Sequence, residues 1–261
     1  MISKHIPDII GIFLVPFLTV LLSIFIGQLI GRSRARQFPE LKEGAVGSVV
    51  GAVIGLLAFI MAFTFQIAAN HYDARKTLLL EEVTQIRKVY LQAGLIPEPL
   101  RSNTRILLKE YVDLRIHLAA DPSKLAEGMA RSQQILDTLW KYAENLAAQD
   151  RSSEAYSLYT ASVNELVDKY NQRVTMGLEI RIPVLILVIL MIITFFSMLT
   201  LGYHFGISGK GNFNINLMLA IVFATVIFLI ISLDRPEFGI SIVNQKPMVT
   251  LQKQLQKMQD Q

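Results

Sequence analysis

Hydrophobic residues along the chain gather in four long blocks, 9–30, 46–67, 182–201 and 213–233, and the stretches between them have a different character. A helix needs roughly 20 apolar residues to cross about 30 Å of hydrocarbon, and each block meets that length. With no water to satisfy peptide groups, such a block is expected to be helical throughout. The pattern predicts four transmembrane helices.

Residues 68–181, between the second and third blocks, are rich in Leu, Ala, Glu, Lys and Arg and hold no alternating run of the kind a strand needs. Their apolar positions recur at helical spacing, as in Leu125, Met129, Leu136, Leu139, Ala143 and Leu146. Breaks at Pro97 and Pro99, at Asp121-Pro122 and at 150–153 predict helices near 68–94, 99–119, 122–148 and 152–181. Asp121 before Pro122 reads as a helix start, a capping oxygen followed by a residue with no amide hydrogen to satisfy. Asp150, Ser153 and Glu154 read as a cap and first-turn charges.

Nothing breaks the pattern from Glu43 to about Ala93, so the second span is expected to continue past the bilayer as one helix. At about 1.5 Å per residue it would be about 75 Å long. The last helix of the middle stretch is expected to run through Gly177 and Arg181 into the third span, with Pro183 as a kink or restart. At the C-terminus, Leu251, Leu255 and Met258 outline a short amphipathic helix. The expected fold class is all-α: a polytopic membrane protein with four transmembrane helices and a helical extramembrane domain inserted between spans two and three. Its parts are 1–67 (two spans and a basic connecting loop), 68–181 (the helical domain), 182–233 (the last two spans) and 234–261 (the tail).

Composition agrees with lipid exposure: 52% of the 261 residues are hydrophobic and 18% charged, against about a quarter charged in soluble domains. The absence of cysteine excludes disulfides and thiolate metal sites. A net charge of +4 fits contact with anionic lipid, and no basic–aromatic cluster points to nucleic acid. The first block exceeds the apolar length of a signal peptide and is followed by Arg32, Arg34 and Arg36 rather than a cleavage site, so it is expected to be retained. Those arginines and Lys42 lie between spans one and two, whereas only Lys4 precedes the first span. The excess of positive charge places the short loop in the cytoplasm and the helical domain outside.

The four histidines, His5, His71, His117 and His204, have no metal-ligand spacing, and the adjacent Glu81 and Glu82 cannot form a paired dyad by themselves. No catalytic constellation emerges, so no enzyme activity, cofactor or metal site is expected. The candidate residues lie in the spans instead. Gly47, Gly51 and Gly55, and Ser23, Gly27 and Gly31, recur at four-residue steps that let helix backbones approach in lipid, within a subunit or between subunits. Phe59 and Phe63 follow one turn apart, as an apolar constriction or as lipid-facing and packing residues. Gln66, Asn70, Asp73, Thr77, Glu81, Thr84 and Lys88 then step by three and four along one helical stripe. Polar groups at membrane depth must face protein or water. The stripe therefore lines a shared vestibule or is a solvated face beyond the headgroups. Asp234-Arg235-Pro236 ends the last span, as a local Asp–Arg contact with a proline stop, or as a salt bridge to another subunit, Glu179 or Arg181.

Three stretches carry a family resemblance: LLAFIMAFTFQIAANHYDARKTLLLEEVTQIRKVYLQAGLIPEPLRS, the following LLKEYVDLRI, and SLDRPEFGISIVNQKPM after the last span. Glu81, Glu82, Tyr90, Leu91 and Pro97, then Asp234, Arg235, Pro236, Gly239, Ile240 and Ser241, stand where the family motifs have them. The chain resembles the bacterial bestrophin-like membrane proteins, a domain family of unknown function. The family name implies kinship with bestrophins, pentameric anion channels with four spans, a helical domain after the second, and second helices lining the pore. The chain departs from bestrophins in having no acidic calcium clasp and in the orientation its arginine loop implies. The resemblance implies a homo-oligomeric ion channel in the bacterial inner membrane, with Phe59, Phe63, Gln66, Asn70 and Asp73 along the path. The alternative is a non-transporting scaffold or sensor that binds a protein partner through residues 99–148.

Overall fold

The computed structural model describes residues 2–38, 43–209, 211–235 and 243–259. Among them are eight α-helices and no strand: α1 Ile2–Gln37, α2 Glu43–Gln92, α3 Leu100–Ala120, α4 Leu125–Gln149, α5 Glu154–Leu178, α6 Val184–Ile207, α7 Phe213–Asp234 and α8 Lys246–Gln259. Of these, α1, α2, α6 and α7 are long and apolar enough to cross a membrane. The chain divides into two compact units, Met1–Tyr72 with Arg181–Ile242, and Asp73–Ile180 with Val243–Gln261. Helix α2 contributes residues to both. Lys42, Pro236, Gly239, Ile240 and Ser241 lie outside the described residues.

In the first unit α1 packs against α6 and α7. Glycine sets the α1–α6 distance. A Cβ added at Gly27 would overlap the Leu199 carbonyl oxygen, and one at Gly31 that of Tyr203. On α6, Gly202 and Gly206 abut the Ile24 and Gln28 carbonyls in the same way. Ser23, fully buried, satisfies its hydroxyl on the Thr19 carbonyl. The small-residue step of α1 thus meets a second step, Gly202 and Gly206. Gln28 Nε2 donates to Asn216 Oδ1 at 3.1 Å, a buried amide pair between α1 and α7. The part of α2 in this unit buries Val50, Leu57, Met61, Thr64 and Ala68, one stripe at helical spacing.

The second unit packs α4 on α3 and α5, and α8 on α3. Its core includes Leu79, Ile86 and Tyr90 of α2, Leu108 and Tyr111 of α3, Leu136 and Leu139 of α4, and Tyr159 and Leu166 of α5. The tail helix adds Met248, Leu251 and Leu255, and Gln252 Nε2 donates to Asp113 Oδ1 at 2.6 Å. This apolar face explains the amphipathic pattern at the C-terminus.

Two boundaries differ from the sequence expectation. Helix α5 does not run into the third span: it stops at Leu178, residues 180–183 are not helical, and α6 starts afresh at Val184. Pro183 lacks an amide donor and drives Ile182 away from helical geometry, so restart prevails over a kink. Asp121 does not open α4 directly. Its Oδ1 accepts from Ser123 N at 3.1 Å and Ser123 Oγ at 2.6 Å, bracing a 3-10 turn over Pro122–Lys124 before α4 begins at Leu125. Such local side-chain bonds compete with helix. Ser153 caps α5, accepting from Tyr156 N at 3.4 Å.

The glycine crossing makes a direct test possible. Gly202→Ala or Gly27→Ala is expected to lower the melting temperature of detergent-purified protein, at an overpacking cost of about 1–3 kcal/mol. Gly11→Ala, where an added Cβ meets nothing within 4 Å, leaves it unchanged or slightly higher. Equal effects at all three positions would remove close backbone approach from the account.

Candidate functional site

Helix α2 has two unlike sides. Val50, Leu57, Met61, Thr64 and Ala68 are buried, whereas Phe59 and Phe63 are 69% and 61% exposed and Gln66, Asn70 and Asp73 are exposed too. At about 100° per residue, Phe59, Phe63, Gln66, Asn70, Asp73 and Thr77 fall within a sector of about 80°, roughly opposite the buried stripe. Only 17% of the apolar window of α2 is buried, against 28%, 28% and 33% for the other three spans. Among the described residues, α2 is thus the span that the rest of the chain covers least along its apolar window.

The expected site residues distribute along that face in order. A Cβ added at Gly51 or Gly55 would meet nothing within 4 Å, and one at Gly47 would meet only the His204 ring at 3.6 Å. These glycines do not make a close crossing within the chain, unlike Gly27 and Gly31. Gln66 Nε2 donates to Asn70 Oδ1 at 2.7 Å, so each amide is satisfied in part by the other. Farther along, the exposed positions are drawn into ion pairs with α5: Glu81 with Lys169 and Lys88 with Glu165, both at 2.9 Å. The lower stripe belongs to the surface of the second unit, and the segment from Phe59 to Asp73 remains as the candidate path.

A second constellation gathers where α7 ends. The Asp234 side chain is almost fully buried. Its Oδ1 lies 2.8 Å from His71 Nδ1, and Oδ1 and Oδ2 accept from the Ile182 amide at 3.1 and 3.0 Å. The acidic residue of the Asp-Arg-Pro motif thus reaches α2 and the segment before α6, partners that sequence reading did not name for it. Sequence pattern alone did not select His71; its position beside Asn70 was its one signal.

The third constellation lies in the second unit. Glu82, fully buried, accepts from Tyr111 Oη at 2.5 Å and from Arg173 Nη1, with Arg115 Nε 3.4 Å away. The Arg115 guanidinium lies over the rings of Tyr111 and Tyr170, at 5.9 and 5.6 Å. Arg173 Nη2 also donates to Gln245 Oε1 at 3.2 Å, fastening the segment before α8. Burial and the neighbouring Glu82 charge hold the Tyr111 hydroxyl well above its ordinary pKa. Burial opposes the charge on both arginines. For Arg115, Glu82 and the tyrosines outweigh burial and raise the pKa, whereas burial and the like charge of Arg115 leave that of Arg173 lowered. A signal for this hub was present in the sequence: Arg115 and Arg173 occupy core-facing positions in the runs Leu108, Tyr111, Val112 and Leu166, Tyr170.

The family model described as the bestrophin-like domain matches residues 13–248. A mutant of a bacterial bestrophin homologue from Klebsiella pneumoniae superposes with TM-score 0.67 at 17% identity, covering 97% of this chain and 100% of that one. The same homologue solved by Zn-SAD phasing gives TM-score 0.60 at 17% identity, with 97% and 99% covered. These likenesses show a shared fold. No match was found among curated proteins.

The neighbouring acids Glu81 and Glu82 supply the prediction. Glu82→Ala leaves the buried Arg115 and the half-buried Arg173 without their carboxylate and is expected to cost about 3–5 kcal/mol. Glu81→Ala removes a partly exposed ion pair and is expected to cost less than about 1 kcal/mol. Chemical denaturation of the two variants checks the contrast, and similar midpoints would contradict the hub.

Proposed function

Because the chain belongs to the bestrophin-like family, we propose that this multi-pass membrane protein is a homo-oligomeric ion channel whose α2 helices line the path. The observation that carries the reading is the uncovered face of α2, on which aromatic and then amide side chains follow one another along a single membrane helix. In hydrocarbon an uncovered amide pair needs protein or water beside it. Copies arranged around an axis would give Gln66 and Asn70 that surrounding. Phe59 and Phe63 would narrow the path and exclude water, and the amides of Gln66 and Asn70 would replace hydration of an ion beyond the constriction. Asp73 stands at the outer end. Gly51 and Gly55 offer neighbouring copies a close approach.

The same reading places 68–181 and the tail as a helical extramembrane domain, and the protein in a bacterial inner membrane. Arg32, Arg34 and Arg36 are exposed at the C-terminal end of α1, which supports a cytoplasmic 32–43 segment and an extracytoplasmic domain. The orientation is tested with Gln133→Cys, an exposed position in a chain that has no other thiol. Labelling of intact spheroplasts with an impermeant maleimide is expected, and labelling only after lysis reverses the orientation.

Conduction is tested by ion flux in liposomes carrying the wild type, Phe63→Ala or Gln66→Leu. Phe63→Ala is expected to raise flux by widening the constriction. Gln66→Leu is expected to lower it roughly fivefold, the effect of losing about 1 kcal/mol of amide interaction with the passing ion. Flux that responds to neither substitution moves the path away from α2. Absence of flux from the wild type favours the scaffold or sensor, whose partner would bind through residues 99–148.

A further inference from the structure

The Asp234 carboxylate joins three helices of the first unit at one point. Ile182 precedes Pro183 and the helical start at Val184, so α6 cannot satisfy its amide. Asp234 accepts that N–H with both oxygens and at the same time meets His71 Nδ1. Ile182, Ile227 and Ile230 belong to the apolar cluster around this end of α7, and an acceptor left without donors there would be costly. The carboxylate is thereby held in place by the backbone just before α6, and it presents a fixed acceptor to α2.

For α2 this acceptor has a geometric consequence. The remaining buried positions of its membrane half are apolar, as at Val50, Leu57, Met61 and Ala68, or, at Thr64, satisfied within the helix on the Ile60 carbonyl. Apolar contact is not directional, whereas a hydrogen bond weakens steeply as it is bent. His71 lies about 120° around the helix from Phe59, at the edge of the buried stripe. A fixed His71 therefore turns Gln66 and Asn70 outward. We propose that Asp234 is a positioning residue that, through His71, fixes the rotation of α2 about its own axis and so selects the face that carries Gln66 and Asn70. This inference rests on α2 being the pore-lining helix for its functional meaning, but its geometry is measurable without conduction.

The chain has no cysteine, so single thiols report the two faces. Gln66→Cys probes the exposed stripe and Ala68→Cys the buried one, each treated in detergent with the anionic reagent sulfonatoethyl methanethiosulfonate. With His71 in place, the thiol at 66 is expected to react much faster than that at 68. His71→Phe keeps a ring but no donor, and is expected to lower the ratio of the two rates severalfold. His71→Asn places an amide nitrogen where Nδ1 stood and is expected to restore the ratio, which a role in bulk packing alone would not do. Should His71→Phe fail to fold, Asp234→Asn takes its place: it keeps an oxygen for Ile182 but removes the charge, and a severalfold fall in the ratio is again expected. A ratio unchanged in the folded variants overturns the proposal, as does one that falls equally with His71→Asn. Liposome flux separates the two readings. A shifted ratio with no wild-type flux upholds the positioning role and removes the channel, whereas flux with an unmoved ratio does the reverse.

Discussion

A polar group withdrawn from water has to find a partner, and that constraint organises each unit of this protein. In the first unit it draws Gln28 to Asn216 and gathers His71 and the Ile182 amide around Asp234. In the second it surrounds Glu82 with Tyr111, Arg115 and Arg173. Apolar burial supplies the bulk of the driving force in the second unit, but it accepts many arrangements of similar area. The polar ties select among them, because an oriented donor has few acceptable positions.

Within lipid the balance of terms changes. Helices gain little by hiding leucine from acyl chains, so close packing and interhelical hydrogen bonds decide association. The α1–α6 crossing shows the first means, with Gly27 and Gly31 against the backbone of α6 and Gly202 and Gly206 against that of α1. The Gln28–Asn216 pair shows the second, worth about 1 kcal/mol on the scale of such bonds. Helix α2 has neither in comparable measure along its outward face. What it has instead is the carboxylate acceptor opposite His71, which is why a change at Asp234 should alter the presentation of α2 more than its burial.

Much of this was legible in the sequence. Four spans follow from block length, the continuity of α2 from the lack of any breaker between Glu43 and Gln92, and the tail helix from Leu251 and Leu255. The polar order on α2 was also visible, since it needs only helical spacing. The pairings were not. His71 and Asp234 are separated by 163 residues, and Glu82 and Arg173 by 91, so no local period connects them. Gly202 and Gly206 escaped notice because a small-residue step acquires meaning only from the helix it meets. The end of α5 was misplaced for a different reason. A proline after a helical pattern permits a kink or a stop, and the buried acceptor that stabilises the stop, Asp234, comes much later in the chain.

The angular order on α2 bears on how copies would meet. Steps of four residues advance about 40° around a helix, whereas seven residues fall about 20° short of two turns. Gly51 and Gly55 therefore lie about 80° and 40° to one side of Phe59, while Phe63, Gln66, Asn70 and Thr77 stay within about 40° of it. Gly51 and the aromatic–amide stripe cannot share one direction, and Gly55 lies at the edge of the stripe, in line with Asp73. In an assembly around an axis they need not do so: the stripe would face the axis and the glycines the flank of an adjoining helix. Their lack of neighbours within the chain and their sideways placement are then two aspects of one arrangement. The drift that prevents a straight helix from aiming all of these residues inward is what would divide them between the path and the subunit contact.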